Sequence, residues 1–427
     1  MKAKNTIILV IDGLRPKHLG CYGYFRNTSP SIDAFAENGV VFENAFVNSS
    51  WTKPNIVSTL TSLNPSTHKV LTIEDKISPK IRTLPEILKE QGYKTAIFSG
   101  LRHPAKVHGF RGFDKHRIFD DFAVQFRTAD KINNEMTKWI EKNRKNNFFI
   151  YVHYIDTHLP FDPPAPFNTA FLKEPFKHKD PIGTKISKEG LEKIIPLYDS
   201  EILYFDSELK KFIEKLKEMH VLEDTLIIIT SDHGMEFMEH GHFGFMKFLY
   251  EEGIHVPLIL FGNELPKKKR IKQQVSMIDI MPSVLELMGI EFNGRKEGTS
   301  FVPLIERKRT IEKPVFMETI ENSHEPYCSA RLFQGIRTKK WKYIKTKQIF
   351  KFEIRPKMFR KTSYWKNNLI QMLKGIKNFI SWGFKTEKEE LYNLMIDPME
   401  YKNISHHNPD IIIKMRKMFS EYFKEVI

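Results

Sequence analysis

The sequence predicts an α/β protein: a largely parallel central sheet covered by helices on both faces in residues 1–310, then a smaller α+β unit in residues 311–427. Two observations carry that expectation. Strand-like apolar runs at residues 7–11, 95–98, 148–152, 225–230 and 256–261 alternate with helix-like segments. Near-continuous Ile/Val/Leu strands separated by helices indicate a parallel sheet buried on both faces. Beyond about residue 310 the alternation gives way to shorter strand-like pieces, a basic segment and a terminal helix from about residue 411.

Each element follows from its residues. Residues 84–91 and 202–219 read as helices. In the second, Ile202, Phe205, Leu209, Phe212, Ile213 and Leu216 fall mostly three or four apart and make one apolar stripe. Pro54 suits the first turn of a helix whose apolar face is Ile56, Val57, Leu60 and Leu63. In open α/β sheets the ligand site lies beyond the carboxyl ends of the strands. The first strand delivers Asp12 there, residues 148–152 deliver His153, Tyr154, Asp156 and His158, and residues 225–230 deliver Ser231-Asp232-His233-Gly234.

Asp12, Asp232 and His233 offer two hard oxygen ligands and one imidazole, a set that suits Mn²⁺ or Zn²⁺ ahead of Mg²⁺ or Ca²⁺. Taken singly, each has an ordinary structural reading as a turn former or a satisfied polar group. Clustered acids repel one another unless a cation neutralises them, so together they point to one divalent metal. Thr52 stands where a helix N-terminus favours negative charge. Local sequence alone reads it as an N-cap. Beside a cation, its hydroxyl becomes a nucleophile for a phosphorus or sulfur centre.

At this point the residues resemble a known family, the sulfatase-like branch of the alkaline phosphatase superfamily. Ile11-Asp12-Gly13-Leu14-Arg15-Pro16 with Gly20-Cys21-Tyr22-Gly23 resembles its opening metal-binding strand, and Thr28-Ser29-Pro30-Ser31-Ile32-Asp33 continues the match. Trp51-Thr52-Lys53-Pro54 through Thr67-His68 is similar to its nucleophile helix, and His153-Tyr154-Ile155-Asp156-Thr157-His158 to the segment that contacts the substrate's oxyanion. Ser231-Asp232-His233-Gly234, Tyr250-Glu251-Glu252, Arg337-Thr338-Lys339-Lys340-Trp341 and Glu390-Leu391-Tyr392-Asn393-Leu394 complete the order. The resemblance implies that Asp12, Thr52, Asp232 and His233 ligate the metal. It also implies that Thr52 is the covalent nucleophile and that His68 and His158 hold the transferred group or assist proton transfer.

Departures from the family pattern refine the expected chemistry. Sulfatases carry a Cys or Ser that becomes formylglycine, then proline and arginine; here Thr52 precedes Pro54, and Ile56 replaces the arginine. Gly13 stands where many members have a second Asp, and His233 where many have Asn. Threonine cannot become that aldehyde, so phosphate monoesters, phosphate diesters or phosphonates are expected ahead of sulfate esters. Sulfuric ester hydrolysis, phospho-group transfer and an inactive binding protein of the same fold are the alternatives. Lys247 and Asp156 are the candidate substrate-binding residues, and Asp156, His158, His240 and His242 the candidates for a second metal.

Composition bounds the rest. Hydrophobic residues make up 41% of the 427 and charged residues 28%, which argues against wholesale disorder. Two cysteines, Cys21 and Cys328, cannot build a disulfide framework, no apolar run approaches the ~20 residues of a membrane span, and no signal-peptide pattern opens the chain. A soluble cytoplasmic protein is expected. Its net charge of +15 favours an anionic partner, here a small-molecule, glycan or lipid ester; no nucleic-acid module accompanies it, so no nucleic acid is expected. Residues 350–386 hold nine Lys/Arg against one acid, with Trp365, Leu369, Met372, Leu373, Ile376, Phe379 and Ile380 at helical spacing. They read either as a stripe packed on the main domain or as a peripheral membrane contact.

Overall fold

Apolar runs too long to leave in water assemble the centre of the molecule. The structure, a computed structural model, describes residues 3–101, 111–119, 128–307, 312–321, 327–352 and 387–425. The basic segment 350–386 therefore falls almost wholly outside the described residues. Eight strands form the main sheet: β1 (Asn5–Ile11), β2 (Val40–Phe46), β3 (Lys94–Ser99), β4 (Lys115–Ile118), β5 (Phe148–Tyr154), β6 (Thr225–Thr230), β9 (His255–Phe261) and β10 (Lys269–Ser276). The small hairpin β7 (Glu236–Phe237) and β8 (Phe243–Gly244) lies between β6 and β9. Strand order is β10-β2-β9-β6-β1-β5-β3-β4. Only β9 opposes the others, pairing antiparallel with both β6 and β2.

The apolar strands fall where the sequence places them, and β2, β4 and β10 are additions to it. Glu43 and Asn44 interrupt the apolar run of β2, and its pairing with β9 shifts register between Phe42 and Ala45. β4 and β10 are edge strands carrying Lys115, His116 and Arg117, and Lys269 and Arg270; charged edges resist pairing with other chains.

Among the helices are α1 (Pro30–Glu37), α2 (Thr52–Thr61), α3 (Pro65–His68), α4 (Leu84–Glu90), α5 (Ala129–Asn143) and α6 (Lys188–Glu218). The Thr83/Glu86 capping box starts α4. α6 begins well before the stripe that predicts it and runs through Pro196. Its polar stretch there is buried and paired, with Asp199 accepting from Tyr24 and Arg26 and joined to His18. No helix among the described residues is long and apolar enough to cross a membrane.

The C-terminal strands are not short. β11 (Val315–Ile320), β12 (Tyr327–Arg337), β13 (Trp341–Phe352) and β14 (Lys388–Asn393) form an antiparallel sheet in that order, with 11 and 12 residues in its two central strands. One face carries Ile336, Tyr343 and Leu391 against Ile412 and Met415 of the terminal helix Pro409–Glu425. The other face puts Val315, Met317, Phe333 and Ile344 into the same apolar cluster as Ile8, Val10 and Phe46 of the main sheet.

Buried charge crosses the same boundary. Arg337 makes a bidentate pair with Glu251, Nε–Oε1 2.8 Å and Nη2–Oε2 3.0 Å. Lys342, fully buried, lies 3.3 Å from Glu251 and 2.7 Å from Glu400. Although burial opposes ionisation of Glu251, Arg337 and Lys342 hold its carboxyl far below the ordinary range. Removing one partner of such a buried pair costs about 3–5 kcal/mol, because the remaining charge stays out of water. Lys342→Ala is expected to lower the urea unfolding midpoint by that order, whereas an exposed control, Lys211→Ala, leaves it nearly unchanged.

Candidate active site

Parallel register brings the candidate ligands together. Val10 of β1 is level with His153 of β5 on one side and Thr230 of β6 on the other. Asp12 and Asp232 therefore each lie two residues beyond the same rung on adjacent strands, and His153 sits at that rung. All are buried. The turn after β1 uses Gly13 at φ 68°, a conformation that disfavours a side chain, and a Cβ there would meet Met235 Cε at 3.0 Å. Gly13 N–H donates to Asp232 Oδ1, and the Tyr198 hydroxyl donates to Gly13 O. Gly13 brings no second carboxylate to the site and instead steers the one opposite.

His233 donates Nδ1–H to Gly234 O at 2.7 Å, so Nε2 presents its lone pair to the site. Nε2 lies 3.5 Å from Asp12 Oδ1, 3.5 Å from Asp232 Oδ2 and 3.3 Å from Thr52 Oγ1. Asp12 Oδ1 and Asp232 Oδ2 are buried without a hydrogen-bond partner among the described residues. Burial would raise the Asp12 carboxyl, yet the imidazoles of His158, His153 and His233 hold it at about 2. Burial would likewise lower His233, but Asp232 and Asp12 lift it above its ordinary value. The Phe245 ring stacks on His233 at 4.5 Å.

Thr52 is the first residue of α2, with extended Trp51 as the cap, so the N-cap reading of Thr52 gives way to a first-turn position. Asn55 fixes that turn: its Oδ1 accepts from Asn48 and Ser49 N–H, and its Nδ2 donates to the carbonyls of Ser49, Trp51 and Asp232. The C-terminal sheet supports the same loop through Glu318 N–H to Asn48 O and Ser50 Oγ to Thr319 Oγ1. Two unpartnered carboxylate oxygens, an imidazole lone pair and a hydroxyl converging at a helix start fit a divalent cation. Their 3.3–3.5 Å separations from Nε2 match the edge of a ligand tetrahedron with bonds of about 2.0–2.1 Å.

A family model described as sulfatase matches residues 4–290, about two thirds of the chain, and one described as N-sulphoglucosamine sulphohydrolase, C-terminal, matches residues 238–357. The chain belongs to the sulfatase family. It is 24% identical over 430 residues to an ulvan-active sulfatase of Formosa agariphila, covering 98% of this chain and 79% of that one. It is 23% identical to arylsulfatase K of Canis lupus familiaris, covering 80% and 74%. The phosphonate monoester hydrolase of Agrobacterium radiobacter superposes with a TM-score of 0.77 at 17% identity, over 99% of this chain and 96% of that one. A protein solved in complex with its substrate D-glucosamine-2-N,6-O-disulfate does so at 0.78, also at 17%, over 100% and 98%. These structural likenesses show the fold, alkaline-phosphatase-like; family membership makes the chain an ester hydrolase.

Within this sulfatase-family site the other expected residues part company. Asp156 accepts from Thr128 and Ala129 N–H, each at 3.0 Å, and caps α5; burial pushes its carboxyl up to about 7. Its carboxylate, expected to bind substrate, is thus engaged at the start of α5. Asp156, His158, His240 and His242, the candidates for a second metal, do not form a metal-holding group among the described residues: His240 pairs with Glu252 at 2.5 Å and His242 with Glu236 at 3.2 Å. His158 donates Nδ1–H to Leu159 O and packs edge-on against Phe245, near enough to Asp12 for its charge to lower that carboxyl. Lys247 is half-buried, its ammonium 4.9 Å above the Phe248 ring.

His68 is engaged within the fold. Its Nδ1 accepts from Val70 N–H and its Nε2–H donates to Ser58 Oγ at 3.0 Å, so both nitrogens are spent bracing α2. The sequence reading gave Asn55 no role, and it brought His153 to the edge of the sheet without giving it one. A poor helix former inside the first turn was the available sign for Asn55; a histidine within an otherwise aromatic and apolar strand was the sign for His153. Burial pushes His68 from 6.5 down to about 3. Between these values the unfolded chain takes a proton that the folded chain refuses, so this contribution is complete above pH 6.5 and is lost as pH falls, by ~1.4 kcal/mol per pH unit. The His68→Gln variant is expected to be less stable at pH 7 and to lack this one-proton slope in urea midpoints between pH 6 and 4.

Proposed function

We propose that the chain cleaves an anionic ester of the phosphate class, a phosphate monoester, diester or phosphonate, through a covalent intermediate on Thr52. The observation that supports this best is the placement of Thr52 Oγ1, 3.3 Å from the His233 lone pair and beside two unpartnered carboxylate oxygens. Asp12, Asp232, His233 and Thr52 would hold one divalent cation, with Mn²⁺ or Zn²⁺ the best match to that donor set. When bound, the cation lowers the pKa of a hydroxyl and neutralises developing negative charge.

The chain's own residues do the rest. The first turn of α2 aims backbone N–H groups where the anionic group must sit. Thr52 loses its proton to water and its Oγ attacks phosphorus. An Oγ–P bond forms as the P–O bond to the alcohol breaks, and the departing oxygen takes a proton, for which His158 is the assigned donor. Water then attacks phosphorus, the Oγ–P bond breaks, and Thr52 regains a proton. Lys247 is assigned to the charge of the transferred group. An acceptor alcohol in place of that water would make the same site a phospho-group transferase.

A second reading, sulfate-ester hydrolysis, is favoured by relatives that are named as sulfatases. Chemistry weighs against it, because a sulfo-threonine has no second hydroxyl with which to expel sulfate. Named relatives include an ulvan-active enzyme, which supports a glycan as the alcohol side.

Turnover of aryl phosphate, phosphodiester, phosphonate and sulfate substrates, run with Mn²⁺ and with Zn²⁺, separates the readings. Phosphorus esters are expected to dominate, with a phosphoryl adduct on Thr52 trapped by acid quench and mass spectrometry. Thr52→Ala is expected to lose at least ~1,000-fold in kcat while still binding metal, and chelation to abolish turnover until Mn²⁺ or Zn²⁺ is restored. Wild-type turnover by Thr52→Ala would overturn the nucleophile; a sulfate-only profile would establish the second reading.

A further inference from the structure

Asp12 faces two imidazoles with its two oxygens. Oδ1 points to His233 Nε2, while Oδ2 lies 3.4 Å from His153 Nε2 in a buried hydrogen bond. His153 Nε2 is also 3.6 Å from Asp232 Oδ2. We infer that His153 is a positioning residue of the cation site: its Nε2–H holds Asp12 Oδ2 and thereby turns Oδ1 toward the cation. This inference rests on Asp12, Asp232, His233 and Thr52 forming the cation's shell.

The competing role is direct ligation, since donor atoms of Asp12, His153 and Asp232 all lie within 4.8 Å of one another. Proton placement decides between them. A ligating Nε2 must carry a lone pair, which puts the ring proton on Nδ1. For His233 that proton has an acceptor, Gly234 O. For His153 it has none, because Nδ1 is buried with no hydrogen-bond partner among the described residues. An unsatisfied buried donor is costly, whereas Nε2–H aimed at an ionised carboxylate makes a charge-assisted hydrogen bond. The two histidines therefore hold opposite tautomers, one presenting a lone pair and the other a proton. β5 supplies the second from the rung level with Val10, where the His153 side chain is wholly buried.

Holding one oxygen of a ligating carboxylate does two things. It removes the rotation that would trade one oxygen for the other, and it keeps the carboxylate ionised without consuming Oδ1. The loss of such an outer partner typically weakens metal affinity 10–100-fold.

Isothermal titration of the full metal-free chain with Mn²⁺ and with Zn²⁺ tests this, using His153→Gln, His153→Leu and His153→Ala. Gln can still donate an N–H from nearly the same place, Leu fills the space without a donor, and Ala leaves it empty. Expected are a 10–100-fold weaker Kd for whichever of Leu and Ala folds, judged by melting of the metal-free forms, and near-wild-type affinity for Gln. Donorless variants that bind as tightly as wild type would overturn the inference. A Gln variant as weak as Leu would overturn it too, by pointing to the ring nitrogen as a ligand. Wild-type chain that binds neither metal would instead sink the cation shell itself, a distinguishable result.

Discussion

Two carboxylates are buried side by side on neighbouring strands, and the chain keeps them there. Asp12 and Asp232 are held by backbone geometry: Asp12 by its place beyond β1, Asp232 by N–H groups of Gly13 and His233 on Oδ1. What remains, Asp12 Oδ1 and Asp232 Oδ2, has no hydrogen bond to repay its burial. Such an arrangement is a local sacrifice of stability that a bound cation reverses, because ligand binding to the folded state alone stabilises that state. Neighbouring residues serve this constraint by supplying imidazole or by orienting oxygen.

The loop that leads to Thr52 shows how far that support extends. Residues 48–51 carry Thr52 to its place, yet their backbone is held by three separate parts of the chain. Asn55 ties the loop to α2 and to Asp232 O; Glu318 and Thr319 of β11 tie it to the second sheet; Met246 N–H caps Ser50 O from the loop after β8. The charge cluster of Arg337, Lys342, Glu251 and Glu400 locks that second sheet to the first close to the same region. The C-terminal sheet is therefore part of the site's rigidity, and its apolar face is continuous with the main core.

Legibility followed physical scale. Asp12, Asp232 and His233 could be placed because strand ends are marked by sharp apolar-to-polar transitions and parallel sheets bring those ends together. β2 and β10 were hidden by polar residues at register shifts, and the start of α6 by Pro196 and by buried polar residues whose partners lie far away in sequence. His68, Asp156 and His153 show the limit most clearly. A histidine or aspartate near a predicted site has several local futures: brace, cap or chemical group. The choice depends on which backbone N–H comes within reach after folding. Val70 claimed His68, Thr128 and Ala129 claimed Asp156, and Asp12 claimed His153.

The departure at Ile56 has a structural consequence for the charge near Thr52. Sulfatases place an arginine there; here the side chain is buried in the main apolar cluster beside Leu60, where a cation would have no partner. The ammonium of Lys53, next in sequence, is taken up by the carbonyls of Ile73 and Asp75. On the proposed reading, positive potential at Thr52 would come from the helix start, from the imidazoles and from a cation held by Asp12 and Asp232. An aldehyde hydrate needs a neighbouring charge to hold its extra hydroxyl, whereas a plain alkoxide needs only one strong cation and a dipole. On the proposed reading, the loss of the arginine and the presence of threonine are two sides of one change in chemistry, with Ile56 packed into the apolar cluster where the arginine would stand.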